Sequence, residues 1–167
     1  MGFHMYHKAC LENQMKNSTG SYITCAVCEV TYGIRTGEMP DGSMNWSTGG
    51  GALPGHPGSR TITFSYRFSG GSRKGVAYSG TSRTAYLPTT PEGITVFKMM
   101  VLAFQRRVTF KVGFSVTNNC DNQTVWAGIH HKTNTSGGSS SFGYPDATYL
   151  SRVTEELAAR NITPEDV

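Results

Sequence analysis

At 167 residues the chain has room for one domain with its own core and a small appendage. Hydrophobic residues make up 37% and there are 20 glycines, a globular composition, while the longest apolar block, Met99 to Phe104, is far too short to cross a bilayer. Lysine and arginine (15) exceed the acidic residues (11) to give a net charge of +4, but the basic residues are scattered, which argues against a specific nucleic-acid surface. The segment Met1 to His7 has neither the basic n-region nor the apolar h-region of a secretory signal. The expectation is a protein of the cytoplasm, the nucleus or both, with no membrane partner.

The first thirty residues concentrate metal-binding chemistry, in the order His4-x2-His7-x2-Cys10-x14-Cys25-x2-Cys28. Thiolate and imidazole are the donors zinc prefers, and a Cys-x2-Cys turn places two sulfurs at two corners of one tetrahedron. The order resembles the second half of a RING finger, whose eight ligands hold two zincs and whose role is to dock a ubiquitin-conjugating enzyme. In that pattern His4, Cys25 and Cys28 share one zinc, while His7 and Cys10 share the other. Three of the eight ligand positions have no counterpart in this chain. The resemblance therefore implies a partial, zinc-binding RING over residues 1–31 with incomplete sites, fewer than two zincs per chain, and only the His4/Cys25/Cys28 set able to hold one.

Residues 29–60 carry Gly49-Gly50-Gly51 and Leu53-Pro54-Gly55 with no sustained period, and read as a linker leading into loops. Thr61 to Tyr66 alternates with period two, which puts Ile62, Phe64 and Tyr66 on one face of a strand. Gly70-Gly71 marks a turn, and Arg83 to Leu87, closed by Pro88, is a second strand. Thr90-Pro91-Glu92 starts a helix running to about Arg107, with a Thr cap, Pro at the first position and an acid in the first turn. Its expected buried stripe is Ile94, Phe97, Val101 and Phe104. Val108, Phe110, Val112, Phe114 and Val116 then alternate with Thr109, Lys111, Gly113 and Ser115, a strand with Ser115 on its polar face. A loop through Asn118, Asn119 and Asp121 leads to an extended stretch from Thr124 to His131, and a Ser/Gly-rich loop follows from Thr133 to Ser141. Asp146 is the expected cap of a last helix with Leu150, Val153 and Leu157 in one stripe. Strands and two main helices mix without strict alternation, which makes the fold class α+β.

Common catalytic frames are missing. Gly70 to Gly75 lacks the spacing of a phosphate-cradling P-loop, and there is no dinucleotide fingerprint, nucleophile elbow or zinc-protease helix. His130-His131 is the one suggestive pair. Adjacent side chains on extended backbone point to opposite faces, so the two cannot chelate one metal; one faces a pocket and the other solvent or core. By residue type alone, Glu155-Glu156 reads as a solvated helix face.

A set of motifs changes that weighting: Tyr32-Gly33-x3-Gly37, Met44, Leu53-Pro54-Gly55, Arg83-Thr84-Ala85-Tyr86-Leu87-Pro88 with Glu92-Gly93, and Ala103-Phe104. They continue with Trp126-x2-Ile129-His130-His131-Lys132-Thr133 and Gly143-Tyr144-Pro145-Asp146-x2-Tyr149-Leu150-x2-Val153-x2-Glu156-Leu157. In this order, residues 32–167 resemble the C-terminal domain of the deltex ubiquitin ligases, most of all the deltex-3-like branch. The resemblance implies a single deltex C-terminal-type domain over 32–167 and a ligase that moves ubiquitin from a conjugating enzyme to proteins, to ADP-ribose, or to both. It implies a pocket for ADP-ribose or NAD lined by Ser115, His130, Phe142, Tyr144 and Glu156, with His130 and Glu156 catalytic. Implied partners are ubiquitin, its conjugating enzyme, ADP-ribosylated proteins and a poly-ADP-ribose polymerase family member. Phe142 stands where several members carry a histidine; it can stack on a nucleotide but cannot carry a proton. The alternative is a module that reads ADP-ribose or NAD without ligase activity, because the RING is incomplete.

Overall fold

The computed structural model describes residues 4–17, 22–28 and 31–167. In chain order the elements are α1 (Lys8–Asn17), β1 (Tyr22–Thr24), β2 (Thr31–Gly33), β3 (Gly42–Gly49), β4 (Thr61–Phe68), β5 (Gly71–Arg73), β6 (Val76–Tyr78) and β7 (Thr81–Pro88). They continue with α2 (Pro91–Gln105), β8 (Phe110–Ser115), β9 (Cys120–Trp126) and α3 (Tyr149–Ala158), with short 3-10 turns at Ser139–Ser141 and Pro164–Asp166. Among the described residues no helix is long and apolar enough to cross a membrane.

The alternation read from Thr61 onward builds the centre of the molecule. Strand β4 lies between β3 and β7 in an antiparallel sheet, and Ile62, Phe64, Tyr66 and Phe68 all point into the core. The register pairs Ile62 with Leu87 and Phe64 with Ala85, so β7 adds its own two buried side chains to the same face. The segment expected to be a linker supplies β3 instead, paired with β4 over its whole length, and sends Met39 and Leu53 into the core. Strand β3 has a polar, largely exposed sequence, so its pairing comes from backbone bonds to β4, which leave no hydrophobic period to read. Gly70-Gly71 opens the small β5–β6 hairpin rather than a bare turn.

Helix α2 begins as its sequence dictates. Thr90 accepts a bond from the Gly93 N–H at 3.2 Å with Pro91 at the first position. A Cβ on Gly93 would lie 2.2 Å from the Pro88 carbonyl oxygen, so the close approach of β7 to the helix needs glycine there. The buried stripe is Val96, Met99, Met100 and Ala103, a correction to the expected Ile94, Phe97, Val101 and Phe104. Phe97 and Phe104 pack at the edge of the core, and Ile94 is exposed. This helix is apolar almost all round, so spacing alone does not select its face; the sheet on one side and α3 on the other do.

Two further expectations are corrected downstream. Strand β8 carries a register break between Gly113 and Ser115, which turns Ser115 into the protein and leaves Phe114 exposed at 54% and Val116 at 87%. One extra residue at a bulge reverses the faces of all that follow, so strict alternation mis-assigned this end of the strand. Strand β9 stops at Trp126, and Gly128, with φ of 85°, turns the chain out of the sheet before His130. Helix α3 buries Leu150, Val153 and Leu157 as expected, but Thr148, not Asp146, occupies its N-cap position.

Candidate functional site

The chain leaving β9 runs beside β7, tied by the Tyr86 N–H to the Lys132 carbonyl at 2.9 Å. Along this extended stretch the two histidines diverge as their adjacency requires. His131 enters the core, its ring stacked on Trp126 at 4.1 Å and flanked by Phe64 and Tyr66. Its Nδ1 bonds the Ile129 carbonyl and its Nε2 bonds the Tyr66 hydroxyl, both at 2.9 Å. The carbonyl is acceptor only, so Nδ1 donates and Nε2 accepts from Tyr66: a neutral ring with both nitrogens satisfied. Burial pushes its pKa down to about 4.

His130 points the other way, with a side chain 74% exposed. Its backbone N–H donates to Glu156 Oε2 at 2.8 Å and its Nδ1 donates to Glu156 Oε1 at 2.5 Å. One carboxylate thus grips both the main chain and the ring of the same residue. With Nδ1 carrying the proton, the neutral ring presents an unprotonated Nε2 to solvent. Glu156 comes from the last turn of α3, on the flank of the buried stripe formed by Leu150, Val153 and Leu157, so the packing of that stripe fixes where the carboxylate stands. The Tyr149 hydroxyl, from the first turn of the same helix, donates to the His130 carbonyl at 3.1 Å. An orienting acid, a ring with a free nitrogen and an open approach are the parts of a general base.

A buried ion pair braces this wall. Lys132 Nζ meets Asp146 Oδ2 at 2.6 Å with both side chains almost fully enclosed, and Arg152 reaches the same oxygen from outside at 2.7 Å. Burial raises the Asp146 pKa, but the Lys132 hydrogen bond and the charges of Lys132 and Arg152 outweigh it and leave the carboxyl below its ordinary range. The same ammonium sits over the Tyr149 ring at 5.1 Å. This engagement is why Asp146 does not cap α3.

The remaining expected site residues fall in different settings. Phe142 projects from the 134–144 loop, 61% exposed and left-handed at φ of 54°, an uncommon conformation for an aromatic residue. Its carbonyl accepts from the Asn134 N–H, which closes the loop beneath it. Tyr144 is fully buried, and its hydroxyl donates to the Tyr86 carbonyl at 2.9 Å, so it supports the loop from below. Ser115 is buried at the β8 bulge and accepts from the Asn118 N–H. A groove of about 520 Å³ lined by Gly50, Leu53, Thr63, Tyr86 and Ser136 includes none of Ser115, His130, Phe142, Tyr144 and Glu156. The contributions of Tyr149, Lys132 and Arg152 are missed by sequence reasoning, because only the fold brings them to His130 and Asp146.

At the N-terminal end, His4, Cys25 and Cys28 bring their ligand atoms within 4.8 Å of one another. Cys25 Sγ lies 3.5 Å from His4 Nδ1, close to the edge of roughly 3.6 Å that Zn–S and Zn–N bonds of usual length define in a tetrahedron. The Tyr6 hydroxyl, 3.1 Å from Cys25 Sγ, and the backbone N–H groups of Cys28 and Val27 draw the Cys25 thiol down to about 6. The residues fit a zinc ion at three of its corners. His7 and Cys10 stand outside this set, at the start of α1, where the Cys10 N–H bonds the His7 carbonyl. Residues 1–3, 18–21 and 29–30 of the expected half RING lie outside the described residues.

An α+β domain with this sheet and this histidine–glutamate wall has relatives. Residues 36–162 match the Deltex C-terminal domain family. The chain is 42% identical over 149 residues to the human "Probable E3 ubiquitin-protein ligase DTX3", covering 84% of this chain and 43% of that protein. It is 35% identical over 172 residues to mouse "E3 ubiquitin-protein ligase DTX4", 97% of this chain and 28% of the other, and 35% identical over 170 residues to human "E3 ubiquitin-protein ligase DTX1", 96% and 27%. The chain therefore belongs to the deltex family. It spans less than half the length of these curated relatives, which are named as E3 ubiquitin ligases.

Proposed function

We propose that this chain is a deltex-type E3 ubiquitin ligase with a site for ADP-ribose or NAD built around the exposed His130, Glu156 and Phe142 and backed by the buried Ser115 and Tyr144. The observation that carries the reading is the double grip of Glu156 on His130, which engages the backbone N–H and Nδ1 and leaves Nε2 as the ring nitrogen not held by Glu156 on a side chain 74% exposed. In the proposed reaction Nε2 takes the proton of a ribose hydroxyl as its oxygen attacks the thioester carbonyl of ubiquitin carried by a conjugating enzyme. A new ester bond forms to the ubiquitin carboxyl terminus, the C–S bond breaks, and the thiolate leaves and is reprotonated. Glu156 orients the ring and offsets the charge it gains. The exposed Phe142 ring offers a stacking face for the base and carries no proton.

Zinc bound by His4, Cys25 and Cys28 would hold the N-terminal hairpin in shape for docking the conjugating enzyme, with no part in proton transfer. Ubiquitin, its conjugating enzyme, ADP-ribosylated proteins and a poly-ADP-ribose polymerase family member are the proposed partners, in the cytoplasm and nucleus. Calorimetry with ADP-ribose tests the first half of this reading, and absence of binding to the folded chain overturns it. Joining an intact deltex RING upstream tests the second half: Glu156→Ala should slow transfer of ubiquitin to ADP-ribose about 100- to 10,000-fold while leaving affinity within a few fold. Equal transfer with Glu156→Ala and His130→Ala would reduce the surface to a reader of ADP-ribose.

A further inference from the structure

His130 and Glu156 reach the site from two separate pieces of chain, the turn after β9 and the last turn of α3, and one side chain spans both. Arg160 Nη1 donates to the Glu156 carbonyl at 2.6 Å, and Arg160 Nη2 donates to the Ala127 carbonyl at 2.7 Å. The two nitrogens belong to one rigid planar fork, so the two carbonyls are held at a separation set by the guanidinium itself. The turn is shaped to receive it. Gly128 has φ of 85°, and a Cβ there would lie 2.8 Å from Arg160 Nη2. Glycine at 128 is therefore required twice, by the backbone and by the guanidinium beneath it.

We propose that Arg160 is a positioning residue that sets the reach between His130 and Glu156. Its fork clamps the main chain three residues before His130 to the main chain of Glu156, so the carboxylate meets both the N–H and Nδ1 of His130. The guanidinium stands close enough to Glu156 to feel its charge, and Arg35, donating to the Ala159 carbonyl at 3.3 Å, is near enough to act on it with the opposite sign. Lysine cannot replace it, because a single ammonium on a flexible stem does not hold two carbonyls at a fixed separation. The role in transfer rests on the proposed function, whereas the clamp on His130 does not.

The test is the tautomer of His130, read by nitrogen-15 NMR of the full chain without nucleotide, at a pH where the ring is neutral. In the unaltered protein the Nδ1–H form should dominate, because Glu156 accepts from it. Arg160→Met keeps the side-chain stem and removes the fork; the ratio of Nδ1–H to Nε2–H should fall about tenfold or more, the equivalent of losing a charge-assisted bond worth about 1.5–3 kcal/mol. Arg160→Lys should fall between the two, and it carries the same test if Arg160→Met does not fold. An unchanged ratio in a folded Arg160→Met or Arg160→Lys chain overturns the proposal. ADP-ribose affinity is measured separately on the unaltered chain, so failure of binding with a responsive tautomer strikes the proposed function and leaves the clamp standing.

Discussion

The N-terminal hairpin and the body of the domain are held together by different physics. Among the described residues between His4 and Gly33, Cys25 is the buried hydrophobic residue, whereas the body from Met39 to Ile162 encloses one continuous core around β4, α2 and α3. A region with little apolar surface to bury depends on ligands for its shape, as small metal domains do. The body depends on burial, each enclosed Leu or Phe contributing about 1.5–3 kcal/mol. The difference teaches that the two parts should respond to different insults.

The largest effect is expected in the body. Leu157→Ala opens a hole among fully buried neighbours and should cost about 2–5 kcal/mol of unfolding free energy, read from urea midpoints. A loss under 1 kcal/mol would mean that α3 is not anchored as described, and Glu156 with it.

Acid should strike the same core next. His131 is held neutral, its pKa lowered by burial from 6.5 to about 4, so the unfolded chain binds a proton where the folded one does not. Stability is then complete above about pH 6.5 and is lost as pH falls toward about 4, a total of order 3 kcal/mol. His131→Phe removes the titration and should flatten the slope of stability against pH across that window; an unchanged slope would place the acid sensitivity elsewhere.

Cys25→Ser should act on the hairpin alone. Zinc content should fall from about one ion per chain to none, while the urea transition of the body moves by less than about 0.5 kcal/mol, because Tyr6 and His4, side-chain partners of Cys25, lie outside the core. Two zincs held tightly by the unaltered chain would contradict the three-ligand geometry. The smallest effect belongs to Phe114→Ser: the bulge exposes this ring, so the change should stay within about 0.5 kcal/mol, whereas unbroken alternation would make it one of the costliest.

Much of the fold was legible in the order of residues. The period-two run at Thr61 to Phe68, the Thr90-Pro91 helix start and the Leu150, Val153, Leu157 stripe are local signals, and local sterics and burial carry them into the structure unchanged. The adjacency of His130 and His131 determined that their rings part, and the family motifs determined which two residues to watch. Tertiary structure decided what had no local signal. Strand β3 formed because β4 offered its backbone, α2 chose its face from its neighbours, and one bulge reversed Phe114 and Ser115. The grip of Glu156 on His130, 26 residues apart, and the span of Arg160 from α3 to Ala127 exist only once α3 packs against the core. Hydrogen bonds between distant segments depend on where packing brings their ends, and residue order alone does not set that separation.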